Sequence, residues 1–144
     1  MKNSAVTTLL AEENCSCVIR KGDTIRIFRR RGMSDLLNLL REEPDFTNGA
    51  FIADKVVGKG AAALMVLCGF GEVWAEVIST PARRLLDHAG IRNAFLNEVP
   101  NIINRAGDGI CPVEQLCASC TTAEECLPLI ERFAAGMNPA HKSA

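Results

Sequence analysis

The sequence predicts an α/β domain built around a mixed β-sheet, on three observations. Segments with the two-residue alternation of strands and segments with helical spacing follow one another along most of the chain. The first two strands are joined by a tight turn and should pair antiparallel, whereas the later strands are separated by helices and should pair in parallel. A continuous apolar run near the middle predicts a helix that other elements surround. The length of 144 residues fits one domain.

The first half of the chain supplies the hairpin and its neighbours. Residues 1–14 are predicted to be a frayed lead-in, with at most a turn of helix near Leu9. The stretch "CSCVIRKGDTIRIF" predicts strands at 15–20 and 24–28, with Gly22 in the turn. The stretch "GMSDLLNLLREEP" predicts a short amphipathic helix that Pro44 ends. A short strand, "AFIA", and a linker, "DKVVGKG", follow.

The second half alternates between helix and strand. The run "AAALMVLC" predicts the buried helix, and "GEVWAEVIS" predicts a strand. In "TPARRLLDHAG", Thr80 is the predicted helix cap and Pro81 takes the favoured first position. Residues 91–96 predict another strand, and 97–111 an irregular segment of a length that is often functional.

The tail should be helical. Thr122 and Glu125 have the spacing of a capping box, and Pro128 predicts an interruption. The domain is thus expected to span residues 15–136, followed by a flexible tail over 137–144.

Composition argues against several classes of protein. The net charge of −1 and the absence of tyrosine argue against a nucleic-acid surface, and the triplet Arg29-Arg30-Arg31 is more typical of a solvated strand edge. The sequence has no apolar run long enough for a membrane span and no signal peptide at its start, so we expect no membrane partner and a cytoplasmic location. The seven cysteines are then expected to be reduced thiols.

The order of elements, with the phrases "IADKVVGKGAAALM", "VISTPA" and "CPVE", resembles a small bacterial family of unknown function within the cytidine deaminase-like superfamily. The resemblance covers roughly residues 15–135 and implies a three-layer α/β/α sandwich with a mixed sheet. In catalytic members of the superfamily, His-Ala-Glu opens the buried helix and Pro-Cys-x-x-Cys opens the next one, and together they hold zinc and its proton shuttle.

This chain lacks those zinc motifs. The first position has Gly58-Lys59-Gly60-Ala61 and the second has Pro81-Ala82-Arg83-Arg84-Leu85. Because Gly, Ala and Leu side chains carry no metal ligand, we expect no metal, no cofactor and no hydrolytic deamination by zinc.

The strongest binding candidate is the start of the buried helix. Its free amides, the two glycines and a lysine would suit a phosphate or carboxylate, so a small anionic or nucleotide-like ligand is the expected partner. The alternative is that the glycines only permit close packing of the buried helix and that Asp54 and Lys55 form an ion pair on the surface. The candidate ligand-binding residues are Asp54, Lys55, Gly58, Lys59, Gly60 and Thr80.

Two further sites involve cysteine. Cys111 precedes Pro112 at a predicted helix start and could be an activated thiol with Glu114 nearby, or an inert one. Cys111, Cys117, Cys120 and Cys126 could form a metal cluster, although their spacing is not that of a standard zinc ribbon, or they could be core thiols.

Three functions therefore remain open. The first is a module that binds an anion in the inherited pocket, and it is the preferred one. The second is an enzyme of another class that uses Cys111. The third is a non-catalytic interaction protein that forms a homodimer through a sheet edge or its helices.

Overall fold

A mixed five-stranded sheet forms the centre of the computed structural model, which describes residues 3–30, 33–104 and 106–136. The strands lie in the order β2-β1-β3-β4-β5. Strand β1 is antiparallel to both β2 and β3, whereas β3, β4 and β5 are parallel. Their bounds are Cys17–Lys21 (β1), Thr24–Phe28 (β2), Phe51–Val57 (β3), Glu72–Ser79 (β4) and Arg92–Val99 (β5). The predicted α/β class with a mixed sheet is confirmed.

Helices connect or flank these strands. They are Asn3–Glu12 (α1), Ser34–Glu42 (α2), Pro44–Thr47 (α3), Lys59–Cys68 (α4), Thr80–His88 (α5), Pro112–Cys117 (α6) and Ala123–Gly136 (α7). No helix in the described ranges is both long and apolar enough to cross a bilayer.

The two faces of the sheet are covered unequally. The buried apolar residues form two clusters, one on each face of the sheet. Neighbouring residues of β1 belong to different clusters, because successive side chains of a strand point to opposite faces. Val18 packs in a cluster with Val6 and Leu10 of α1. Ile19 belongs to the larger cluster, which contains side chains of α2, α4, α5 and α7. One face therefore carries α1, and the main core lies on the other.

Helix α4 is buried as predicted. Gly58 caps its start, and Gly69, with φ of 81°, caps its end in the left-handed conformation that glycine adopts without strain. Four consecutive residues, from Ala62 to Met65, are fully buried. The helix packs against α2, α5 and α7, which fixes where its amino end lies relative to the strands.

The predicted lead-in is wrong over most of its length. Residues Asn3–Glu12 form α1, in which Val6 and Leu10 are almost completely buried against the sheet. The sequence offered only weak periodicity there, and the helix is held by packing on β1 and β3.

Three other boundaries differ from the prediction. Strand β3 continues beyond residue 53 to Val57, because it pairs with β4 as far as Ile78. Pro44 begins the short helix α3 after α2 has ended. The irregular segment is shorter than predicted, since β5 extends to Val99 and one bridge joins Ile103 to Ile110.

The end of the chain follows the capping prediction. The amide of Glu125 donates to Oγ1 of Thr122 at 3.2 Å, and the amide of Thr122 donates back to Oε1 of Glu125 at 3.2 Å. Pro128, in contrast, lies inside α7 and does not end it. The predicted flexible tail over 137–144 lies outside the described residues.

Candidate functional site

Glu114 fills the position where an external anion was expected. Its Oε1 accepts hydrogen bonds from the amide of Lys59 at 2.6 Å and from Oγ of Ser79 at 3.2 Å. Its Oε2 accepts one from the amide of Ile102 at 2.6 Å. The residue is only 3% exposed. A carboxylate of the protein itself therefore lies against the amino end of α4, where the helix dipole favours negative charge.

The glycines at this helix start serve close packing. A Cβ added to Gly60 would lie 2.4 Å from Cγ1 of Val113, a distance that real Cβ atoms do not show. At Gly58 it would lie 3.3 Å from Oε1 of Glu114 and 3.2 Å from Cγ1 of Ile102. Helix α6 and the segment before it thus occupy the space above both glycines, which agrees with the alternative that the sequence left open.

Lys59 also acts within the protein. Its Nζ donates to the carbonyl oxygens of Cys120 at 2.5 Å and Ala118 at 3.2 Å, and the residue is buried. The lysine thus links α4 to the segment between α6 and α7, and its ammonium group already donates to two carbonyl oxygens.

Asp54 and Lys55 lie in β3, outside the group of residues that Glu114 joins. Asp54 is half-buried in β3 opposite Cys17 of β1. Burial raises the pKa of Asp54 to about 7, although the amides of Val56 and Lys55 partly oppose the shift. The amide of Lys55 donates to the carbonyl of Ser16. Neither residue contributes to the hydrogen bonds of Glu114.

The cap of α5 is Ser79, where the sequence predicted Thr80. Oγ of Ser79 accepts from the amide of Ala82 at 3.2 Å while it donates to Glu114. Thr80 faces the other way, and its Oγ1 donates to Oε2 of Glu98 at 2.8 Å. Ser79 is thus the residue that joins the starts of α4 and α5, and the prediction missed it because Ser and Thr are adjacent and both are good caps.

A groove opens beside Thr80. It has a volume of about 550 Å³ and lies at the carboxyl ends of β4 and β5. Glu98 in its wall is 2.9 Å from Nε of Arg83, and the Thr80 hydroxyl and this guanidinium together lower the pKa of Glu98. The residues that line the groove are Thr80, Pro81, Arg84, Glu98, Val99, Pro100 and Asn101.

Cys111 is the N-cap residue of α6, and Glu114 lies in the first turn of the same helix. The backbone carbonyl of Cys111 accepts from Gln115, and its amide donates to Ile102. The thiol is half-buried. Both oxygens of Glu114 accept hydrogen bonds from other groups, and no hydrogen bond among the described residues joins this carboxylate to the Cys111 thiol.

Three of the other cysteines lie together in the core between α6 and α7. The thiol of Cys126 hydrogen-bonds to Cys117, which lowers the pKa of Cys117 and raises that of Cys126. Burial raises the pKa of the half-buried Cys120. Within the described ranges, no group of three or more His, Cys, Asp or Glu side chains is arranged to hold a metal ion.

Fold and site together define an α/β protein with a mixed five-stranded sheet, in which a buried carboxylate joins the starts of two neighbouring helices. The chain belongs to the TM1506 family, a domain of unknown function (DUF1893), whose model matches residues 5–134. The predicted resemblance to a family of unknown function is confirmed to that extent.

The fold is similar to a solved structure of the same family. This is the crystal structure of a DUF1893 family protein (TM1506) from Thermotoga maritima, with 25% sequence identity and a TM-score of 0.79. The match covers 91% of this chain and 88% of that chain. No curated protein matches the chain significantly.

Proposed function

We propose that this protein is a non-catalytic member of the cytidine deaminase-like superfamily, with a three-layer sandwich fold, that binds a small anionic ligand in the groove beside Thr80. The observation that carries the proposal is the groove itself, whose lining includes Arg84, an arginine that forms no ion pair with the residues the structure describes. The proposed ligand is a nucleotide or another small phosphate ester.

The arrangement of α4 and α5 supports the superfamily assignment. Each helix follows a parallel strand of the same sheet, and their starts meet where Lys59 and Ser79 bind one oxygen of Glu114. In catalytic members these two helix starts carry the zinc ligands and the proton shuttle. Glu114 would therefore occupy the equivalent space, which accounts for a chain that has neither the ligands nor an open pocket there.

The charge of the groove favours an anion. Glu98 is already paired with Arg83, so its negative charge is largely offset. Arg84 is exposed, and no carboxylate in the described part of the chain forms an ion pair with it. A guanidinium can bind two oxygens of a phosphate at once, and the amide of Asn101 adds a further donor on the same lining.

The position of the groove also fits a ligand site. The groove lies outside the carboxyl ends of the parallel strands β4 and β5, which is the side of an open α/β sheet where ligand sites are found, although the strand order does not reverse between these two strands. The volume lies within the usual range of roughly 300–1,000 Å³ for small-molecule sites. The amino end of α5 contributes little, because Ser79 already caps Ala82 and Pro81 has no N–H.

Thermal unfolding with and without ligand tests this function. We expect nucleoside monophosphates to raise the melting temperature, because a ligand that binds only the folded state stabilises it. The matching nucleosides, which lack the phosphate, should have a much smaller effect.

Two variants locate the site. Arg84→Glu should abolish the shift, whereas Arg132→Glu, which changes an exposed arginine on α7, should retain it. Monophosphates that leave the melting temperature of the wild-type protein unchanged would contradict the proposal. So would a shift of equal size in both variants.

A further inference from the structure

Strand β5 presents an unpaired edge of the sheet. It is the last strand in the order, and among residues 3–30, 33–104 and 106–136 it pairs with β4 alone, so no described strand lies beside its outer N–H and C=O groups. Most of its side chains are exposed, among them Phe95 at 38% and Leu96 at 64%. An open strand edge that carries exposed apolar side chains is a template for pairing with another strand.

The opposite edge of the sheet is protected. On β2, the guanidinium of Arg26 lies over the rings of Phe46 at 4.7 Å and Phe28 at 5.2 Å. It also pairs with Glu43 at 2.8 Å, so the junction of α2 and α3 covers this edge. Strand β5 has no proline and no lysine in its eight residues, and no ion pair or cation–π contact of this kind covers its outer edge in the part of the chain that the structure describes.

The sequence of β5 is complementary to itself when it is read outward from Phe95. Ala94 and Leu96 flank the phenylalanine, and Asn93 and Asn97 lie one step further out. Arg92 and Glu98, which have opposite charges, lie at the two ends. An antiparallel pair of identical strands centred on Phe95 therefore places apolar residues beside apolar ones and each basic end beside an acidic end.

The charged ends have capacity for this contact. Across residues 3–30, 33–104 and 106–136, Arg92 takes part in no ion pair. Thr80 and Arg83 both contact Oε2 of Glu98, which leaves Oε1 free for a guanidinium of a second molecule. A pairing of this type also joins the same surface on both subunits, as a two-fold dimer requires.

We propose that two copies of this chain associate through β5, in antiparallel register about Phe95, to form one continuous sheet of ten strands across the dimer. This inference rests on the edge of β5, which shares Glu98 with the ligand groove, and it does not require that the groove bind a ligand. Main-chain hydrogen bonds would supply part of the affinity, and the apolar centre and the two charged pairs would fix the register.

Sedimentation velocity over a range of protein concentrations tests the dimer. We expect the wild-type protein to shift from monomer to dimer as its concentration rises. Leu96→Lys should weaken the dimer by about tenfold or more, since an exposed lysine protects an edge strand without disturbing the monomer. Leu116→Lys, which changes another exposed leucine (40% exposed) on α6, is the matched control and should leave the dimer intact.

A second experiment tests the pairing of Arg92 with Glu98 of the other copy. Arg92→Glu should weaken the dimer, because it places two acidic ends together at each end of the pair, and high salt should weaken the wild-type dimer. A wild-type protein that stays monomeric overturns the inference, and so does a dimer that Leu116→Lys disrupts while Leu96→Lys does not. Circular dichroism of each variant checks that the monomer fold is retained.

Discussion

Oε1 of Glu114 lies 2.6 Å from the backbone nitrogen of Lys59, a contact between residues 55 positions apart in the sequence. The amino end of α4, which could have bound an anion from solvent, binds a carboxylate of α6 instead. The same carboxylate holds Ser79 and Ile102, so three segments depend on one side chain.

Replacing Glu114 should destabilise the fold strongly. Glu114→Ala removes the acceptor of three donors, which are the amides of Lys59 and Ile102 and the hydroxyl of Ser79. We therefore expect a loss of about 3 kcal/mol or more in the free energy of unfolding. Glu114→Gln keeps one acceptor oxygen and should cost less. Urea denaturation measures both variants. Gln115→Ala, on the exposed side of the same helix, should cost less than about 1 kcal/mol. Equal losses at the two positions would show that the carboxylate does not join the segments.

Gly60→Ala should destabilise the protein, despite the better helix propensity of alanine. The added Cβ would meet Cγ1 of Val113 at 2.4 Å, and crowding of this kind costs about 1–3 kcal/mol. In a Val113→Ala background the neighbour is smaller, so the same substitution should cost at least about 1 kcal/mol less. Urea denaturation of the four proteins in this double-mutant cycle gives the coupling. A cycle without coupling would mean that the two residues are not in contact.

Asp54 should make the protein less stable as the pH rises towards neutral. Its pKa is about 7 in the fold, against 3.8 for the ordinary carboxyl, so the folded state binds the proton more tightly. Between those two values the folded state holds more protons than the unfolded one, and stability is lost as pH rises until the loss is complete above about 7.

Asp54→Asn should remove this dependence. Relative to the wild-type protein, the variant should gain about 2–4 kcal/mol between acidic and neutral pH, as measured by urea denaturation at several pH values. Asp23→Asn, in the exposed hairpin turn, should follow the wild-type curve. If the curves of Asp54→Asn and the wild-type protein stay parallel from acidic to neutral pH, folding does not raise the pKa of Asp54.

Cys111 should react first when the folded protein is briefly alkylated. It and Cys120 are the two half-buried thiols, and burial raises the pKa of Cys120, which slows its reaction. The five buried cysteines should react last, namely Cys15, Cys17, Cys68, Cys117 and Cys126. Peptide mass spectrometry gives the order, and in denaturant the differences should disappear. Early labelling of Cys117 would show that α6 and α7 separate readily.

Leu10→Ala should destabilise the protein by about 2–4 kcal/mol, because Leu10 is buried between α1 and the sheet. Thr8→Ala, on the exposed side of α1, should change stability by less than about 1 kcal/mol. Thermal or urea unfolding compares the two. A negligible effect of Leu10→Ala would mean that α1 is not part of the cooperative fold.

Local patterns predicted most of the individual elements. The hairpin at Gly22, the buried helix that ends at Gly69 and the capping box of Thr122 and Glu125 depend on interactions between residues close in sequence. Helix α1 and the second half of β3 were missed, because partners distant in the chain hold them in place.

The sequence by itself determined the α/β class and the mixed sheet, since both follow from residue types and short spacings. Only the tertiary structure decided what occupies the start of α4. The free amides and the glycines were visible in the sequence, but the choice between an external anion and Glu114 depends on how α6 packs across more than fifty residues of chain. Packing makes that choice, because burying a carboxylate is costly unless hydrogen bonds satisfy it, and here donors from three separate segments converge on Glu114.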